Sequence, residues 1–363
     1  MIRPVGYWHL LDNGRIQCDL CPRHCHMSDG QQGLCQVRGR QGDTMVLQGY
    51  GQASSLCIDP IEKKPLYHFM PGEAILSLGT VGCNLTCKFC QNWSITRSGR
   101  HGNLLQRLGE EAWPEQIAAA AAAMQCPMVA VTYNEPVVFL EYAVDVAKAC
   151  HERGIRTVAV TAGYIDPAPR VELLQHIDAV NVDLKSFSEH FYRSLVGGHL
   201  QPVLETLRYI RHETQVWLEV TTLLIPGEND SDDELQALTG WLVEHLGPDV
   251  PLHFSAFHPD WQLRDRPATP AATLLRARSI AQANGLRHVY CGNVREDLGS
   301  HTWCHGCGTR LIARVGWEIA DWKVTSDGYC SHCGLRCPGV FSGQHGRWGA
   351  RRLPIRINSS TRN

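Results

Sequence analysis

The 363-residue chain contains no run approaching the roughly 18 consecutive apolar residues that a membrane-spanning helix needs. Its first residues, MIRPVGYWHLLDNGR, lack a basic segment followed by an apolar stretch of about 7–15 residues, so no secretory signal is expected. Net charge is also nearly absent. The 34 basic and 36 acidic residues leave −2, so the whole-protein field argues neither for nor against a polyanionic partner. Only residues 341–363 are lopsided, with Arg347, Arg351, Arg352, Arg356 and Arg362 and no acidic residue. They read as a basic, solvated, disordered tail, the alternative being a weak contact for nucleic acid or a partner. The expected compartment is the cytoplasm, with no membrane partner.

Cysteine, in contrast, is plentiful, at 16 residues. Small secreted domains use disulfides because their cores are too small, but a chain of this length can bury a sizeable core and has no such need. In a reducing compartment, clustered thiols point instead to metal or cluster ligands. The cysteines divide the chain into an N-terminal knot, a central stretch and a C-terminal knot.

The middle alternates between β and α patterns. β-rich runs occur at 74–79, 129–133, 156–161, 178–184, 216–225, 252–257 and 287–290, apolar at nearly every position as strands covered on both faces should be. Helical patterns fill the gaps. One begins near Pro114, one spans about 137–153 and stops at Gly154, one opens with the capping box Ser231-x-x-Glu234, and one runs from about Pro270 to Gly285. Six or seven β/α units favour a parallel sheet curled into a partial or full barrel, an open doubly wound sheet being the alternative. In either case reactive groups belong on loops at the C-terminal strand ends.

The first such loop is Gly79-Thr-Val-Gly-Cys83-Asn-Leu-Thr-Cys87-Lys-Phe-Cys90-Gln-Asn-Trp. Ordinary four-iron clusters take four cysteines, so a triplet leaves one iron open to a substrate or cofactor. The Cys-x3-Cys-x2-Cys spacing, with Phe89 before the last cysteine, resembles the radical S-adenosylmethionine (SAM) superfamily. The resemblance implies a 4Fe–4S cluster on Cys83, Cys87 and Cys90. It also implies reductive cleavage of SAM to a 5′-deoxyadenosyl radical that abstracts hydrogen, with the electron coming from a donor such as flavodoxin or ferredoxin.

Two later loops extend the resemblance. Tyr133-Asn134-Glu135-Pro136 occupies the place where the superfamily sets a polar motif against the methionine amino group, although the usual motif is glycine-rich. Asp183-Leu184-Lys185 is similar to a cofactor-contacting DLK in activases of glycyl radical enzymes, as is Leu224-Ile-Pro-Gly-Glu-Asn229-Asp230. An Asp and a Lys two apart on a strand share a face. Phe89, Asn134, Glu135, Asp183 and Lys185 are therefore the expected SAM contacts. Over most of the chain, Cys18-x2-Cys21-Pro-x2-Cys25, Gly30-x2-Gly33-x-Cys35, the segment from Asp59 to His68, the GCN-x2-C-x2-CQNW loop and the terminal cysteine pairs resemble the AmmeMemoRadiSam radical SAM enzymes. The resemblance implies a chemistry and leaves the substrate, possibly a protein, unidentified. A glycyl-radical-enzyme activase is the narrower alternative. A non-catalytic metal-binding scaffold or electron carrier is the alternative from another class, and it does not account for an open iron.

Cys304-x2-Cys307 and Cys330-x2-Cys333 have near zinc-ribbon spacing and fit structural zinc, or a rubredoxin-like iron. Cys337 is a fifth thiol outside that pattern. Cys18, Cys21, Cys25 and Cys35, with His24 and His26 as competing ligands, suit zinc or an auxiliary cluster. Cys57, Cys126, Cys150 and Cys291 read as small buried hydrophobes. Lys63, Lys64 and His68 are secondary candidates for the barrel mouth. Glu219, Thr221 and Thr222 are candidates for ribose or substrate contact, because polar groups in an apolar strand need partners. The expected organisation is a cysteine-rich N-terminal region (1–72), a radical SAM β/α barrel (73–298), a zinc-ribbon or rubredoxin-like module (299–340) and the tail (341–363).

Overall fold

The computed structural model describes residues 1–97, 104–109, 111–294 and 299–357. Seven parallel strands form its centre: β1 (Ala74–Gly79), β2 (Met128–Val131), β3 (Arg156–Thr161), β4 (Ala179–Asp183), β5 (Trp217–Leu224), β6 (Leu252–Ala256) and β7 (Val289–Gly292). Between them lie α1 (Pro114–Ala123), α2 (Leu140–His151), α3 (Pro167–Leu174), α4 (Leu200–Glu213), α5 (Asp232–Leu246) and α6 (Ala271–Ala283). Strand neighbours follow chain order without reversal. A doubly wound sheet turns back at its centre and is thereby excluded. With right-handed crossovers, a one-way order puts every helix on the same face and leaves the other face as a lumen. Among the described residues the two edges of the sheet are not paired with each other, so the barrel is partial.

The β pattern of the sequence is met strand by strand, with ends shifted by one or two residues. The 137–153 pattern divides into a 3₁₀ turn, Pro136–Phe139, followed by α2. The capping box at α5 is only half made. Ser231 Oγ accepts from Glu234 N–H at 3.3 Å, but the Glu234 carboxylate turns away to accept from Ser186 Oγ and, at 2.8 Å, from Phe187 N–H. The helix start thus braces the loop after β4.

Two segments depart from the expected organisation. Ser55–Pro60 lies before residue 73 yet pairs antiparallel with β1, so the large sheet begins inside the cysteine-rich region. Leu353–Pro354 in turn pairs antiparallel with Ser55–Pro60, and Trp348, Ile355 and Ile357 pack against the main core. Residues 341–357 are therefore not a free tail, because an unpaired strand edge and apolar side chains fix them to the sheet. Arg362 lies outside the described residues. The N-terminal region also forms two small three-stranded sheets. The C-terminal module adds a third, built from Thr302–Trp303, Arg310–Val315 and Glu318–Trp322. Among the described residues, no helix is long and apolar enough to cross a membrane.

The lower half of the lumen is filled by residues 61–69. Glu219 of β5 is fully buried and accepts from Tyr67 N–H (3.0 Å), His68 N–H (2.8 Å), Trp217 Nε1–H (3.0 Å) and His253 Nε2 (2.6 Å). Arg314, from the C-terminal module, is also fully buried. It donates to Tyr67 O, Ser300 O and Thr302 Oγ1 at 2.8–3.0 Å, and its Nε stands 3.8 Å from Glu62. Burial pushes the Glu62 carboxyl up to about 7, with Arg314 opposing. Its folded value thus exceeds that of the unfolded chain. The stability it contributes is fully present below about pH 4.3 and is lost as pH rises through about 7. In Glu62→Gln, unfolding free energies measured in denaturant should fall by roughly 3 kcal/mol less between about pH 4 and 8 than in the parent. Parallel curves would show that Glu62 is not the group that titrates.

Candidate active site at the barrel mouth

The loop after β1 carries Cys83, Cys87 and Cys90, and it is gripped on several sides. Gly82 has φ +88°, and a Cβ there would come within 2.4 Å of Cys35 O, so the loop presses directly on the N-terminal knot. On the opposite flank Thr86 N–H donates to Val196 O (2.8 Å) and Lys88 N–H to Leu195 O (2.9 Å). Gly197, at φ +70°, lies so close that a Cβ would meet Thr86 Oγ1 at 1.9 Å. Trp93 stacks on Trp261 with centroids 4.7 Å apart, and Phe89 is buried with its ring 5.9 Å from Phe191.

Asn134 supplies the brace from below. Its Oδ1 accepts from Thr80 N–H (2.9 Å), and its Nδ2 donates to Thr80 Oγ1 and Gly82 O (3.0 Å each). Both N–H groups of the amide are thus used in holding the loop.

Glu135 lies within electrostatic reach of Cys83, and Asp183 and Lys185 within reach of Cys87. Burial raises the pKa of the Cys83 thiol, and Glu135 and Cys87 add to the shift. Burial pushes the Cys87 thiol up to about 11, while the Lys185 ammonium works against it. Lys185 Nζ donates to Asp183 Oδ2 at 3.0 Å. Although burial disfavours its charge, Asp183 and Cys87 hold Lys185 above the ordinary lysine value. The loop that carries it is fixed by Asn229, whose Nδ2 donates to Lys185 O (2.8 Å) and Leu223 O (2.9 Å). The DLK and PGEND motifs therefore form one unit.

Glu135 is buried and joins β2 to β3. Its Oε1 accepts from Thr161 Oγ1 (2.5 Å) and Val137 N–H (3.2 Å), and its Oε2 accepts from Ala162 N–H (2.8 Å). Burial raises its pKa. A carboxylate has about four acceptor sites, so capacity remains at Oε2. Thr221, in register with Asp183 across β4 and β5, is buried with its Oγ1 unpartnered among the described residues. Thr222 instead donates to Leu184 O. An acceptor with spare capacity, an ammonium and an orphaned hydroxyl around three partly exposed thiols fit an amino acid bearing a ribose. Glu219, already taking four hydrogen bonds, does not belong to that set.

A cavity of about 380 Å³ adjoins this mouth, lined in part by Lys63, Lys64, Tyr133, Ser255, Asn293 and Trp317. Lys64 Nζ and Tyr133 OH both donate to Asp59 Oδ2 at 2.8 Å. His68 is elsewhere. It lies in the floor with Nδ1 2.5 Å from Pro338 O and Nε2 2.5 Å from Tyr290 OH, and burial brings its pKa down to about 4. A carbonyl can only accept, so Nδ1 carries the hydrogen and the ring is a structural link to the C-terminal module.

Cys304, Cys307, Cys330 and Cys333 place their sulfurs within 4.8 Å of one another, with Cys304···Cys333 at 3.6 Å and Cys307···Cys330 at 3.8 Å. A tetrahedron with metal–sulfur bonds of about 2.3 Å has edges of about 3.8 Å, so the set fits a single ion. Cys337 is buried in the module's own apolar cluster and is not part of that group. Cys18, Cys21, Cys25 and Cys35 line one small enclosed cavity with Arg38. His24 and His26 turn instead to Asp166 and Gln17. Arg38 is 1% exposed, donates to Val138 O (2.9 Å) and to Glu141, and keeps Nη1 unpartnered among the described residues. The sequence offers no sign of it, since an Arg in a polar strand reads as solvated. Cys57, Cys126, Cys150 and Cys291 are buried.

Residues 77–238 match the Radical SAM superfamily. An uncharacterized protein of Methanocaldococcus jannaschii is 39% identical over 313 residues, covering 86% of this chain and 92% of its own. The pyruvate formate-lyase 1-activating enzyme of Escherichia coli K12 is 27% identical over 184 residues, 49% of this chain and 71% of that enzyme. A radical SAM methyltransferase structure from Sphaerobacter thermophilus aligns over 80% of this chain and 76% of its own, with 18% identity and a TM-score of 0.46. On the superfamily match and the near full-length relative, the chain belongs to the radical SAM superfamily of iron–sulfur, S-adenosylmethionine enzymes.

Proposed function

We propose that this protein is a radical SAM enzyme of the AmmeMemoRadiSam kind, acting in the cytoplasm, whose mouth holds a 4Fe–4S cluster on Cys83, Cys87 and Cys90 and SAM beside it. Bound together and given one electron from a donor such as flavodoxin or ferredoxin, these groups supply a 5′-deoxyadenosyl radical for hydrogen abstraction from the substrate. The observation that supports the reading most strongly is the convergence of Glu135 on Cys83 and of the Asp183–Lys185 pair on Cys87.

This chain's own residues then have distinct tasks. Asn134 and the 195–197 segment hold the thiols at a fixed height above the lumen. With SAM bound, Glu135 would receive the methionine amino group, Lys185 would pair with its carboxylate, and Thr221 would offer a hydroxyl to the ribose. Phe89, packed on Phe191, walls the apolar side. The substrate enters by the cavity beside Lys63 and Lys64. At the two ends, the four C-terminal thiolates hold zinc, and the four N-terminal cysteines, which line one cavity beside Arg38 without gathering around a single point, hold an auxiliary cluster rather than one zinc ion.

Three measurements follow from this reading. Cys87→Ala, reduced with dithionite in the presence of SAM, should form no detectable 5′-deoxyadenosine, and cleavage at the parent rate would refute the cluster assignment. Glu135→Gln should raise KM for SAM by about tenfold or more, the equivalent of one lost charge-assisted hydrogen bond, with iron content unchanged. An unchanged KM would remove Glu135 from the cofactor site. Cys330→Ser should lose one zinc per chain by elemental analysis and lower the melting temperature, and retained zinc would place that ion elsewhere.

A further inference from the structure

Away from the mouth, at the opposite end of the strands, lies a second group of ligand-type side chains. Asp249 precedes β6, His288 precedes β7, and His305 sits between Cys304 and Cys307 in the C-terminal module. A carboxylate oxygen and two ring nitrogens from these residues fall within 4.8 Å of one another, and no thiol takes part. His288 is only 2% exposed, and its Nε2 has no hydrogen-bond partner among the described residues. A buried polar atom left unsatisfied calls for an explanation, and a coordinated ion is one. Arg287 Nη1 donates to Asp249 Oδ1 at 2.8 Å, which fixes the orientation of the carboxylate and leaves Oδ2 available, as the supporting hydrogen bonds of metal-binding carboxylates do. His68 packs edge-on against His288 with centroids 4.6 Å apart and limits its rotation. Asp249 and His305 also line a cavity of about 1050 Å³ beneath the barrel, so an ion can enter from solvent.

We propose that Asp249, His288 and His305 bind a divalent transition-metal ion of the zinc type, with water completing the coordination, and so clasp the C-terminal module to the floor of the barrel. Two imidazoles and one carboxylate are borderline donors that suit zinc, whereas magnesium or calcium would require mainly oxygen ligands. The site is separate from the four thiolates, although one ligand projects from the turn that carries two of them. It does not depend on the chemistry at the mouth.

The test is to purify the full-length holoprotein without oxygen, equilibrate it with Zn²⁺, desalt it, and count zinc and iron per chain in the parent, Asp249→Asn and His305→Ala. Each variant should hold one zinc fewer than the parent at unchanged iron. Added Zn²⁺ should raise the unfolding temperature of chelator-treated parent by more than that of Asp249→Asn, in which only the four thiolates can refill. His305 flanks two thiolates, so Asp249→Asn decides the matter, its side chain being 40% exposed and on another segment. Equal zinc in the parent and Asp249→Asn, with the same response to added Zn²⁺, would overturn the proposal.

Discussion

Glu219 is the point on which the lower barrel turns. A buried carboxylate in the middle of a parallel sheet is tolerable only if its desolvation is offset by donors, and here four are gathered from three places in the chain: the 67–68 plug, β5 itself and β6. Although burial opposes ionisation, His253, His68 and the Tyr67 amide hold its pKa below the usual carboxylate value. Because its donors come from the plug as well as the wall, the floor of the lumen is sealed as a condition of folding. Access is then confined to the upper end, where the cysteine loop lies.

The same economy governs the mouth. Asn134, Asn229 and Glu234 are polar residues whose side chains are largely occupied by neighbouring loops, and the loops they hold carry Cys83, Lys185 and Ser186. A ligand can therefore be met by the groups with capacity left over, Glu135 Oε2, Lys185 and Thr221 Oγ1. Rigid support beneath and free valences above is the arrangement that positions a reacting group without reorganising it.

The terminal modules are part of this design rather than appendages. The N-terminal knot touches the cysteine loop through the Cys35 carbonyl at Gly82, and the C-terminal module reaches the floor through Arg314 and His68. A change in the packing of either module would thus be felt by the barrel through direct contacts.

By itself the sequence determined the alternating β/α order, the one-loop placement of Cys83, Cys87 and Cys90 and the zinc-type spacing of the C-terminal cysteines, because each is written in short-range periodicity or in a few residues of separation. It also placed Asp183 and Lys185 on one face, since strand geometry alone requires it. Only the tertiary structure decided that the barrel is open, that Ser55–Pro60 and Leu353–Pro354 extend its sheet, that Asn134 braces while Glu135 has capacity to spare, and that His68 belongs to the floor. Those outcomes rest on hydrogen bonds between residues dozens to hundreds of positions apart. The pairing of such groups is set by burial and by which donors remain unsatisfied once the sheet has formed, and neither quantity exists in the unfolded chain.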